Sequence, residues 1–127
     1  MPTLNGLVLY YNTSTPQEAA KAKLVFIRMG LRIRIVAPDQ LGQAVGSFAG
    51  LAVEPSAPQA DRPPIPDSIM VFSGLRGHTL DRVLQALLQA GVPRSVFKAV
   101  VTPGNAGWDF YQLYEELKKE RAALEER

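Results

Sequence analysis

The chain has no cysteine and a single histidine, His78, among its 127 residues. Disulfides, thiol catalysis and thiol redox switching are excluded, and a zinc site would lack its usual ligands. Long apolar runs are missing too, since none approaches the roughly 18 residues that span a bilayer. The opening Met-Pro-Thr-Leu-Asn is not a basic segment followed by an apolar one, so no membrane partner and a cytoplasmic location are expected. An excess of one charge is also absent: 14 Lys and Arg face 12 Asp and Glu, a net charge of +2. Lys21, Lys23, Arg28, Arg32 and Arg34 lie close in sequence, yet no interleaved aromatics, helix-turn-helix or RNP motif accompanies them. A solvated basic face is the better reading, and nucleic acid is not the expected partner. There is no Walker A pattern, no GxGxxG, no GxSxG and no cluster of Asp and Glu at metal-binding spacing, so neither a cofactor nor a metal is expected.

What is there suits one domain over residues 1–127, 46% of them hydrophobic, with a single sizeable core. Gly6 to Tyr11 is a continuous apolar run bounded by turn residues, the pattern of a strand covered on both faces. Thr15-Pro16-Gln17-Glu18 supplies a capping residue, a proline at the first helical position and a glutamate three after the cap, opening a helix to about Met29. Gly30 stops it. Leu31 to Val36 alternates as Arg32-Ile33-Arg34-Ile35, a strand whose arginines suit an edge. Residues 38–48 hold Leu41, Ala44, Val45 and Phe48 at helix-like spacing, interrupted by Gly42 and Gly46, and predict a short imperfect helix. Five of the ten prolines fall in residues 53–66, which read as an extended surface connection.

Ile69 to Phe72 is the next buried strand, ending at Ser73-Gly74. Leu80, Val83, Leu84, Leu87 and Leu88 follow helical spacing, so residues 79–90 form an amphipathic helix closed by Gly91. Phe97 to Val101 is the fourth strand. Asp109, with Gln112 three positions on, starts a last helix whose Phe110, Leu113, Leu117 and Leu124 share a stripe. Strict alternation of strand and helix predicts an α/β domain with a four-stranded, mainly parallel sheet and helices on both faces. The two most apolar strands, the first and third, belong in the middle, giving the order 2-1-3-4. The alternative is a ferredoxin-like split βαβ arrangement, with residues 37–67 as an antiparallel connection. The length of that interval and its short helix favour the doubly wound form.

In a doubly wound sheet, ligands collect beyond the carboxyl ends of the strands. Three turns would then converge: residues 12–15, 73–78 and 102–108, rich in hydroxyls, amides and glycine. Asn12, Thr13, Ser73, His78, Thr102, Asn105 and Trp108 are the candidate ligand-binding residues, suited to a small anionic ligand beside an aromatic platform. The plainer reading is that strand-to-helix turns use such residues for capping. An enzyme acting on an anionic small molecule through His78, Thr102 and Asn105 is the competing reading, disfavoured because a lone histidine beside Gly77 is more often a residue of the helix start. Lys98 could bind phosphate, although an outward lysine on an edge strand is the ordinary explanation.

The first helix carries apolar residues on two faces. Ala20, Leu24 and Ile27 form one, and Ala22, Val25, Phe26 and Met29 the other, with Gln17, Lys21 and Arg28 on a narrow polar edge. A helix covering a sheet needs one such face. The second is covered by the chain's own 46–66 segment or by a second copy, and a homodimer through Val25, Phe26 and Met29 is the partner expected on this reading.

Ser68-Ile69-Met70-Val71-Phe72-Ser73-Gly74-Leu75, Leu80-Asp81 and Gly91-Val92 lead into Lys98-Ala99-Val100-Val101-Thr102-Pro103 with Asn105 and Trp108. Leu113-Tyr114-Glu115-Glu116-Leu117 and Glu120 follow. Over about residues 68–120 these residues resemble an uncharacterised bacterial family, domain of unknown function 3783. The resemblance implies no chemistry. Where that pattern often places a hydroxyl residue after the tryptophan this chain has Asp109, an equally good helix cap. Taken together, the sequence points to a small α/β binding or regulatory module.

Overall fold

The computed structural model describes residues 6–13, 15–48, 63–75, 77–93 and 95–125. The expected surface connection at 53–66 therefore lies mostly outside the described residues, apart from its last four.

A mixed four-stranded sheet, β2-β1-β3-β4, organises the chain. Its strands are β1 (Leu7–Tyr11), β2 (Arg32–Ile35), β3 (Ile69–Ser73) and β4 (Phe97–Val100). Four helices attend it: α1 (Pro16–Arg28), α2 (Val45–Phe48), α3 (Gly77–Gln89) and α4 (Phe110–Glu125), with a 3-10 turn at Pro38–Gln40. Order and class are those the sequence predicts. β1 runs parallel to β2 and β3 parallel to β4, but the central pair β1 and β3 is antiparallel, with Leu9 opposite Val71. The sheet is thus neither doubly wound nor a split βαβ. It consists of two intact βαβ units set side by side in opposite directions.

The reason lies between β2 and β3. A β3 parallel to β1 would have to start at the end where β1 and β2 start. Instead the chain returns at the end where β1 finishes. There Tyr11 donates its hydroxyl to the Ile65 carbonyl at 2.7 Å, and the Thr13 N–H donates to Ser68 Oγ at 2.8 Å.

The two halves match element for element. β1 and β3 have five residues each, α1 and α3 thirteen, and each helix ends before a glycine in the left-handed region, Gly30 (φ 73°) and Gly91 (φ 89°). Thr15 caps α1 by accepting from the Glu18 N–H at 3.3 Å, with Pro16 at the first helical position.

Strand alternation splits the core into two layers. Val8, Tyr10, Met70 and Phe72 face α1 and α3, where Phe26 makes edge-to-face contacts with both Tyr10 and Phe72 at 6.2 Å. Leu9, Tyr11, Ile69 and Val71 face α2 and α4, where Phe48 packs edge-on against Phe110 at 5.7 Å. Val25 and Phe26 are buried and Met29 packs against the same cluster. The face expected to meet a second copy is therefore spent inside the molecule, because Phe26 fills the junction of the two halves. The face left to solvent holds Leu24 and Ile27, 47% and 65% exposed. Among the described residues, no helix is long and apolar enough to cross a membrane.

Candidate functional site

The antiparallel central pair separates the residues expected to converge. Asn12 and Thr13 follow β1 and sit at the end where β3 begins, whereas Ser73 and the 102–108 turn lie at the opposite end. Asn12 accepts from the Tyr10 hydroxyl at 3.2 Å, and Thr13 bonds Ser68 through both its N–H and its hydroxyl. These residues close the junction of β1 with β3. His78 stands in the first turn of α3, on the α1 side of the sheet, in a shallow surface depression with Met29, Asp81, Arg82 and Gln85. Ser73 ends β3 half-buried and lines neither depression.

Thr102, Asn105 and Trp108 do come together. They form one end of an open groove of about 440 Å³ running between the edge strand β4 and the helix α4. Lys98, Ala99 and Val100 line its strand side. Leu113, Glu116, Leu117 and Glu120 line its helix side, a spacing of three and four that brings all four to one face of α4. The sequence reading missed these helix residues, although the pairs Leu113/Leu117 and Glu116/Glu120, each four apart, were a visible signal.

The turn is held rigid by its own polar groups. Asn105 Oδ1 accepts from the Thr102 N–H at 2.9 Å, and the Asn105 N–H donates to Thr102 Oγ1 at 3.2 Å. Asn105 Nδ2 donates to the Val100 carbonyl at 2.9 Å, tying the turn to the end of β4. The other half of the chain clamps it from behind: the Val45 N–H donates to the Trp108 carbonyl and the Gly46 N–H to the Ala106 carbonyl, both at 2.8 Å. Gly46 has no alternative there, since a Cβ would stand 2.8 Å from that of Ala106 and 2.9 Å from its carbonyl oxygen. Asp109 then caps α4, Oδ1 accepting from the Gln112 N–H at 2.8 Å, as the sequence predicts. Trp108 is half-buried and packs against the α4-side core.

The groove's charges are placed unequally. Lys98 is half-buried and its Nζ donates to the Val96 carbonyl at 3.1 Å. Burial, and after it the positive charge of Arg121, lower its pKa. Arg121 lies over the Phe97 ring, 3.6 Å from its centroid, and donates to the Ser95 carbonyl at 3.3 Å. Across the groove Glu116 pairs with Lys119 at 3.4 Å. The result is an apolar middle, an aromatic ring and amides at one end, a partly desolvated ammonium in the strand wall and the carboxylates of Glu116 and Glu120 in the helix wall. Such a surface can hold an elongated molecule by its apolar body and one anionic group. Among the described residues, no group of three or more His, Asp and Glu could hold a metal ion.

The model of the family described as Domain of unknown function (DUF3783) matches residues 68–124. No curated protein and no solved structure matches the chain. The matched span contains β3, α3, β4 and nearly all of α4, so it holds every residue that lines the groove.

Proposed function

We propose that the protein is a binding module, with a ligand lying along the groove between β4 and α4, inside the span that the DUF3783 family model matches. The observation that carries this reading is that every residue lining the groove falls within residues 68–124, the span that the family model matches. The ligand that suits the groove has an aliphatic or aromatic body and one carboxylate or phosphate. Its body covers Leu117 and Trp108, and its anion meets Lys98, whose half-buried ammonium otherwise has the Val96 carbonyl. Displacing water from the apolar middle supplies about 25 cal/mol per Å² of apolar surface, and pairing a desolvated ammonium adds specificity.

Binding is favoured over catalysis because the side chains that a reaction would use are apart or already engaged. His78 is on the other layer, and the Thr102 hydroxyl and Asn105 amide bond each other's backbone. A thermal-shift screen with aryl carboxylates, aryl phosphates and nucleoside monophosphates tests the reading. The expected result is a rise in Tm that Lys98→Met and Trp108→Phe each abolish. Stabilisation that both variants retain would refute the location.

A further inference from the structure

The outward face of α1 has a pattern that the core does not explain. Ala20, Leu24 and Ile27 recur at i, i+4 and i+7 and are all exposed, the last two at 47% and 65%. They form a straight apolar stripe about 10 Å long at 1.5 Å per residue. Lys21 and Arg28 flank it on one side and Lys23 on the other, and all three are exposed. On the neighbouring edge strand β2 the 51% exposed Ile35, which pairs with Tyr10, shares the α1 side, whereas Arg32 and Arg34 pair with Leu7 and Leu9 and point to the α2 side of the sheet. Arg34 also lies against the Phe48 ring, 5.3 Å from its centroid. The one acid of the helix, Glu18, sits in the first turn, away from the stripe.

We propose that this face docks an acidic amphipathic helix of another protein, with an apolar stripe bordered by Asp and Glu. Charge complementarity selects the occupant. A second copy would bring Lys21, Lys23 and Arg28 against their own equivalents, and like charges across an interface are costly. Nucleic acid offers phosphates but no apolar stripe for Leu24 and Ile27 to cover. A helix meets both requirements, because its side chains at i, i+4 and i+7 also form a straight ridge. Ala20 is small enough for the axes to approach to the 8–10 Å typical of packed helices. The surface lies on the first half of the chain, outside the matched family span and outside the groove.

Fluorescence anisotropy with a stapled, labelled helical peptide tests the proposal, its Leu stripe bordered by Glu. The full chain is expected to bind it and to bind the same peptide bordered by Lys at least about tenfold more weakly, with affinity falling as salt screens the charges. Leu24→Ser with Ile27→Ser should weaken binding about tenfold or more, the loss expected from uncovering two large apolar side chains. Both positions are exposed, so an unchanged melting curve verifies the fold. Lys21→Glu with Arg28→Glu should reverse the preference towards the Lys-bordered peptide. Equal binding of the two peptides would overturn the proposal. So would indifference to the double serine variant, tighter binding to phosphatidylserine vesicles than to the Glu peptide, or sedimentation as a dimer that the serine variant dissociates.

Discussion

Asn105 and Thr102 bond each other twice across the turn that ends β4. The Thr102 N–H donates to Asn105 Oδ1 at 2.9 Å and the Asn105 N–H returns a bond to Thr102 Oγ1 at 3.2 Å. Asn105 is expected to matter for stability through this pairing and through its bond to the Val100 carbonyl. Asn105→Ala should cost about 1 kcal/mol in urea unfolding, the net worth of a typical hydrogen bond, because of the groups it leaves the Val100 carbonyl is part-buried and the Thr102 N–H is exposed. Thr102→Ala, which loses one hydroxyl acceptor, should cost less.

Gly46→Ala should destabilise by about 1–3 kcal/mol, the usual cost of overpacking, because its new Cβ meets Ala106 at 2.8 Å. Gly104→Ala is the control. The nearest atom to its Cβ would be Thr102 Oγ1 at 3.7 Å, so its unfolding midpoint should stay close to the wild type. Equal effects of the two changes would contradict the close approach of the two halves at Ala106.

Tyr114 donates its hydroxyl to Asp67 Oδ2. Burial, followed by that hydrogen bond and the Asp67 charge, pushes its pKa up to about 12. A group whose folded pKa is raised contributes fully below its unfolded value and loses the contribution as pH climbs through the folded one. The stability gap between the wild type and Tyr114→Phe, measured by urea unfolding, should hold steady up to about pH 10 and shrink towards pH 12. A gap that is flat or widening over that interval would contradict the pairing.

Lys98 has the opposite linkage. Its lowered pKa means that the charged form opposes folding at neutral pH, an opposition that fades as pH rises to the unfolded value of 10.5. Lys98→Met should match or exceed the wild type in unfolding free energy at pH 7, with the difference closing by about pH 10.5. A Lys98→Met protein clearly less stable at pH 7 would show that the ammonium's bond to the Val96 carbonyl outweighs the burial of its charge.

Helix boundaries and strand order were legible because local chemistry dictates them. Thr15, Pro16 and Glu18 mark one helix start, Asp109 and Gln112 another, and the alternation of Arg32 to Ile35 identifies an edge. The direction of β1 against β3 was not legible, since two five-residue runs buried on both faces satisfy a parallel or an antiparallel neighbour equally. That choice is made by Tyr11 meeting the Ile65 carbonyl and Thr13 meeting Ser68, contacts over fifty residues apart in sequence. The same choice divided the expected site, stranding Asn12 and Thr13 at the far end. Thr102, Asn105 and Trp108 stayed together because one turn carries them, and the helix wall at Leu113 and Glu116 came into view only when α4 was laid beside β4. On α1 both apolar faces were readable, but not which one met the sheet. Phe26, large enough to contact Tyr10 and Phe72 together, decides that.

The groove itself is tested most directly by ¹H–¹⁵N correlation spectra of the labelled chain titrated with an aryl phosphate such as phenyl phosphate and an aryl carboxylate such as indole-3-acetate. The expected result is saturable shifts concentrated on Lys98, Val100, Asn105, the Trp108 indole and Leu117, and lost in Lys98→Met. Shifts centred on His78 and the α3 surface, or none with either compound, would contradict it.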